Sequence, residues 1–127
     1  MVQSVISGLF NSCKADVLAT LYWFAVNSKQ SLTINELQEA SMSNLKYLRL
    51  RLPVYAGKAA DKNTKKLWQP GRLLVKRHPV ERNGRLCFAY QITNYGKQWI
   101  NGLPKDNLSE IVTRLRPKWL KLMVKGT

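Results

Sequence analysis

The chain has 127 residues, 45% of them hydrophobic, enough for one self-supporting domain without disulfide staples. Its 21 Lys and Arg stand against 7 Asp and Glu, a formal charge of +14, so a polyanionic partner is expected: DNA, RNA or an anionic membrane. The same inventory argues against an enzyme, a metal site or a cofactor: His78 is the lone histidine, Cys13 and Cys87 form no C-x-x-C, no glycine-rich phosphate loop occurs, and the carboxylates are scattered rather than clustered for Mg²⁺.

The charge is polarised along the chain. Residues 1–45 hold Lys14 and Lys29 against Asp16, Glu36 and Glu39, whereas residues 46–127 carry a net +15, so the anion-binding surface is expected in the second two-thirds. The N-terminus has no signal-peptide pattern, and the longest apolar stretch, 17–26, is too short to span a bilayer, so an intracellular protein with reduced thiols is expected, cytoplasmic or nucleoid-associated, with no membrane partner.

Val2, Val5, Ile6, Leu9 and Phe10 recur at helical spacing and predict a short amphipathic helix. Asn11-Ser12 then offers a cap, and "KADVLATLYWFAVN" reads as a buried central helix over 15–27, with Trp23 and Phe24 as core. In "SLTINELQEASMS", Thr33 and Glu36 make a capping box, so a helix is predicted to start at about Ile34; that role also accounts for Glu36 without any acid–base chemistry.

Ser43 is read as the cap of the next helix, "NLKYLRLRL", with Leu45, Leu48 and Leu52 inward and Ser43, Lys46, Tyr47, Leu50 and Arg51 outward. The strict alternation over 48–54 equally fits a strand, and Pro53 is expected to end a helix near Leu52. Residues 53–71 read as a basic connector carrying Lys58, Lys62, Lys65 and Lys66, with room for one helical stretch over 58–68.

"RLLVKRHPVERNGRLCFAYQIT" predicts two strands about Asn83-Gly84, the pair best suited to a two-residue turn with both residues at positive φ. Counting outward pairs Leu86 with Glu81, Phe88 with Pro79, Tyr90 with Arg77 and Ile92 with Val75, so Leu86, Phe88, Tyr90 and Ile92 share a face expected to point inward. Arg82 and Arg85 fall opposite each other on the other face, where like charges repel and nothing in the core is expected to hold them. "NYGKQWINGLP" returns to helical spacing until Gly102 and Pro104. The tail then sets Leu108, Ile111, Val112, Leu115, Trp119 and Leu122 on one stripe, with Pro117 as a kink or the start of a further helix.

This order of elements resembles the winged helix-turn-helix proteins. "TINELQEASMS" is similar to the second-helix motif of such regulators, and "YQITNYGKQWI" resembles the end of the wing in the MarR-like repressors; the match covers roughly residues 14–100. The resemblance implies an α+β winged helix-turn-helix domain over 1–104 with a two-stranded wing, plus a basic amphipathic C-terminal helix over 105–127. It implies a double-stranded DNA-binding transcription regulator whose recognition helix carries Ser43, Lys46, Tyr47 and Arg51 into the major groove. Lys58, Lys62, Lys65 and Lys66 would track the phosphate backbone, and Arg82, Asn83 and Arg85 would form the DNA-binding wing tip.

Two further readings of the basic face stand beside it: a nucleoid-like or RNA-binding protein, or a host-directed protein that meets an acidic partner. A homodimer through Leu108, Ile111, Val112, Leu115, Trp119 and Leu122 is expected because that stripe is too apolar to stay exposed; the alternative is that it folds back beside the N-terminal helix. No small-molecule ligand is identifiable from the sequence.

Overall fold

A computed structural model describes residues 2–28, 30–57 and 73–125. The elements are α1 (Val2–Asn27), β1 (Leu32–Thr33), α2 (Ile34–Ser41), α3 (Leu45–Tyr55), β2 (Val75–Arg82), β3 (Arg85–Ile92), α4 (Asn94–Asn101) and α5 (Lys105–Lys125). The fold is α+β: among the described residues, five helices with a three-stranded antiparallel sheet in the order β1-β3-β2.

α1 is a single helix, so the predicted break at Asn11-Ser12 does not occur; Asn and Ser cost a helix interior only a few tenths of a kcal/mol each, too little to stop it. Its second half is the hub. Val17, Leu18 and Phe24 have no exposed surface, and the sheet, α2, α4 and α5 all pack around them.

The tail stripe folds onto this hub. Ile111, Leu115 and Trp119 are buried within their own chain, while Leu108, Val112 and Leu122 pack against the same core. Ile111, Leu115 and Trp119 thus follow the fold-back alternative and are not a free contact surface, while Leu108, Val112 and Leu122 keep part of their surface open. Trp119 is fixed chemically as well as by packing: its indole Nε1 donates to Thr20 Oγ1 at 2.9 Å, and that hydroxyl donates to the Asp16 carbonyl at 2.7 Å. Arg114 Nη2 adds a 2.8 Å ion pair to Asp16 Oδ1; burial pushes the Asp16 carboxyl up, and the arginine opposes that push.

Neither proline stops its helix. α3 runs through Pro53 to Tyr55 and α5 through Pro117 to Lys125, which also settles 48–54 as helix rather than strand. The carbonyls each ring displaces belong to Arg49 and Thr113, both on exposed positions where water replaces the lost bond.

The hairpin register is the one counted from its turn: Glu81 faces Leu86, Pro79 faces Phe88, Arg77 faces Tyr90 and Val75 faces Ile92. Asn83 and Gly84 sit at φ 55° and 76°, as the two-residue turn demands. The inward assignment of that strand face holds only at its base. Tyr90 and Ile92 are buried, but Leu86 is 81% and Phe88 50% exposed, because the strands run past the end of the helical layer. The sequence reading also missed β1, whose Leu32 and Thr33 pair with Tyr90 and Ala89.

Thr93 closes the sheet onto α4. Its amide donates to Leu74 O at 3.1 Å, its hydroxyl donates to Leu73 O, and the same oxygen accepts from Gly96 N at 3.0 Å. The glycine is required here by space, since a Cβ at Gly96 would lie 2.3 Å from Leu74 O and 2.7 Å from Ile92 Cγ1. Gly96→Ala is therefore expected to cost about 1–3 kcal/mol, lowering the melting temperature by roughly 5–15 °C. Gly102→Ala, at φ −81° with nothing nearer than 3.5 Å, should be neutral or slightly stabilising. Thermal melts of the two variants side by side check both.

Candidate nucleic-acid interface

α2 starts at the predicted capping box. Glu36 N donates to Thr33 Oγ1 at 3.3 Å, and Thr33 N donates to Glu36 Oε1 at 2.8 Å. The helix ends at Met42, which takes the left-handed conformation at φ 54° in place of a glycine. Three residues later α3 begins at Leu45, capped by Asn44, whose Oδ1 accepts from Lys46 N at 2.7 Å.

Ser43 is therefore not the cap and not an outward residue of the helix. It is buried, and its Oγ accepts from Ser41 Oγ at 2.9 Å, tying the turn together. Tyr47 is also reassigned. Its hydroxyl meets that of Tyr55 at 2.8 Å, and burial first, then this hydrogen bond, holds its pKa well above the ordinary tyrosine range. A half-buried phenol satisfied by a partner two turns along its own helix is a flank residue, not a free groove reader.

What α3 presents outward is a cationic face. Leu48, Leu52 and Tyr55 are buried, while Lys46, Arg49, Leu50 and Arg51 are exposed. Arg49 was missed in the sequence reading although it lies three residues after Lys46, one turn along the same face. Around the helix axis, Lys46 and Leu50 stand opposite Leu48, Arg49 lies at one flank about 100° round from it, and Arg51 lies at the other, on the line from Tyr47 to Tyr55. At that flank, Lys14 reaches across from α1 with its ammonium 4.5 Å from the Trp99 ring centroid and 5.9 Å from that of Tyr55, and burial draws its pKa down.

The hairpin treats its two arginines differently. They face each other across the turn as expected, but Arg82 is anchored: Nη2 donates to Ser31 O at 3.1 Å and Nε lies 3.8 Å from Glu36 Oε2. The core does not hold it, as expected, but the guanidinium is long enough to cross β3 and reach the start of α2. Next to it, His78 Nε2 and Ser31 Oγ are 2.9 Å apart, a second tie between β2 and the residue before β1. Arg85 stays exposed with no ion pair among the described residues, beside Asn83 in the turn. The exposed cations of the hairpin are then Arg85, Lys76 and Arg77, the last stacked 4.2 Å above the Phe88 ring centroid.

Lys58, Lys62, Lys65 and Lys66 lie outside the described residues. Among the residues that are described, no three His, Cys, Asp or Glu side chains come together as a metal site, and no helix is long and apolar enough to cross a membrane. Comparison with family models, curated proteins and solved structures gives no match.

The asymmetry of the arginine pair has a measurable consequence. Arg82→Thr removes a charged hydrogen bond and a partly exposed ion pair, so it is expected to cost about 1 kcal/mol and a few degrees of melting temperature. Arg85→Thr, which touches nothing, should stay within about 0.5 kcal/mol of the parent. Denaturant midpoints for both variants decide the matter; equal midpoints would mean that Arg82 is as free as its neighbour.

Proposed function

We propose that this chain is a winged helix-turn-helix protein that binds double-stranded DNA and acts as a transcription regulator. The observation that carries the reading is the run α1-β1-α2-α3-β2-β3 with the exposed cations Lys46, Arg49 and Arg51 on α3 and Arg85, Arg77 and Lys76 on the following hairpin. In this reading α3 enters the major groove, a passage that fits a helix whose outer face carries donors for guanine O6 and N7 and for phosphates. The hairpin lies on the adjacent backbone and minor groove. Leu50, 63% exposed between Arg49 and Arg51, is suited to apolar contact with a thymine methyl.

The support is electrostatic and geometric. Two of the ionic pairs tie elements together, Arg82 with Glu36 and Arg114 with Asp16, Arg114 with Glu110 lies within α5, and among the described residues no ion pair is made by the cations of α3. A +14 chain with such a face condenses on duplex DNA by releasing counterions. If about six phosphates are contacted, log K should fall against log salt with a slope of roughly −5. Fluorescence anisotropy on a duplex between low and physiological salt tests this, and a slope shallower than about −2 removes the reading. A regulator should in addition hold one site, sought first upstream of its own gene by footprinting, at least ~10³-fold tighter than bulk DNA. A uniform affinity across sequences would leave an architectural binder of the same face instead.

A further inference from the structure

We propose that Leu86 and Phe88 form an apolar wedge that enters the minor groove and opens a base step, so that the hairpin deforms the duplex it touches rather than only lying on its phosphates. This inference rests on the DNA-binding reading and specifies how the hairpin engages.

Single exposed apolar side chains are ordinary on protein surfaces, but these two are not isolated. Leu86 and Phe88 stand two apart on β3, on the strand face whose lower part, Tyr90 and Ile92, is core. The apolar stripe of the strand therefore continues beyond the core for one more pair of residues. Across the ribbon Pro79 lies opposite Phe88, and Arg77 covers the Phe88 ring at 4.2 Å. The result is a ridge of Leu, Phe and Pro with an arginine stacked on it.

The ridge walls an open groove of about 780 Å³, whose other side is the start of α2 at Ile34, Asn35 and Glu36, and among the described residues nothing covers it. Arg82 also lines this groove, where its bonds to Ser31 O and Glu36 tie the hairpin to the start of α2.

Charge selects the occupant. Residues 75–92 contain four Lys or Arg against one acidic residue, and the whole chain is at +14, so a second copy docking ridge to ridge would bring two strongly cationic bodies together over a small patch. A duplex supplies what the ridge and the turn beside it need: phosphates for Arg77 on the ridge and for Arg85 on the other face of the turn, and unstacked base faces or sugars for the apolar tip. Proteins that insert Leu or Phe between base steps offset the unstacking with a bent duplex and added contact. The step opened should be a flexible pyrimidine–purine step, where deformation costs least.

The test compares the parent with Leu86→Ser, Phe88→Ser and Arg85→Ser on a 20-base-pair duplex labelled at both ends, reading affinity across salt and end-to-end distance by energy transfer. Leu86 is so exposed that Leu86→Ser should fold normally, which its melting temperature verifies. The expected result is that Leu86→Ser weakens binding by roughly tenfold and abolishes the bend with the salt slope unchanged. Arg85→Ser, in contrast, should reduce the slope by about one and keep the bend. The parent should also prefer a duplex with a central TA step or a mismatch over a G·C-rich one.

A parent that binds with a steep slope but loses neither affinity nor bend in both Leu86→Ser and Phe88→Ser overturns the wedge and leaves the DNA-binding reading intact. A parent that does not bind the duplex overturns both. A parent that sediments as a dimer and becomes a monomer in Leu86→Ser also overturns the wedge, in favour of ridge-to-ridge pairing between copies.

Discussion

The burial of Trp119 against α1 is the contact on which the arrangement depends. The indole is fully enclosed, its N–H is satisfied by Thr20, and its ring lies 5.5 Å from that of Trp23, which in turn meets Phe24 edge-on. A buried Trp whose N–H lacked an acceptor would forfeit much of what its burial contributes, so Thr20 matters as much as the apolar neighbours. Because Thr20 also donates to Asp16 O, and Asp16 receives Arg114, one stretch of α1 holds α5 both by packing and by polar bonds. That side is covered by the chain's own C-terminal helix, which keeps Arg116, Lys118 and Lys121 exposed on its outer face, while α3 and the hairpin carry the exposed cations described above.

The parts of this fold that were legible in the sequence are those fixed by short-range rules. A capping box sets the start of α2 within one residue, since both of its bonds lie inside four residues. Asn83-Gly84 sets the whole hairpin register, because side-chain alternation is counted from the turn and cannot drift. Pro53 was misread for a related reason: the steric rule is local and sound, but its cost is small where the displaced carbonyl lies on an exposed turn.

What could not be read is where the core ends. Alternation places Leu86, Phe88, Tyr90 and Ile92 on one face, yet only the packing of the helices decides that Tyr90 is the last one covered. The same missing information hid that the buried part of the α5 stripe, Ile111, Leu115 and Trp119, packs within its own domain, and made Ser43 and Tyr47 look like surface residues when Ser41 and Tyr55 already engage them. Arg49, conversely, needed no structure. A count of one turn from Lys46 places it on the outward face, and attention to the Leu spacing hid it.

The arginine pair at the hairpin turn joins the two scales. Two guanidinium groups on facing positions repel, and one resolution is to bring an anion between them. The chain uses another: Arg82 turns away to a carbonyl and a carboxylate, which lowers the local repulsion and at the same time ties β2 to the start of α2. Arg85 then remains as the free charge on a ribbon already held in place, so its ordering on contact with a partner costs less than that of an arginine on a loose loop. A single residue thus supplies both relief of like-charge repulsion and preorganisation of its neighbour. The exchange is possible only because β1 is short enough to bring Ser31 and Glu36 within reach of a side chain from two strands away.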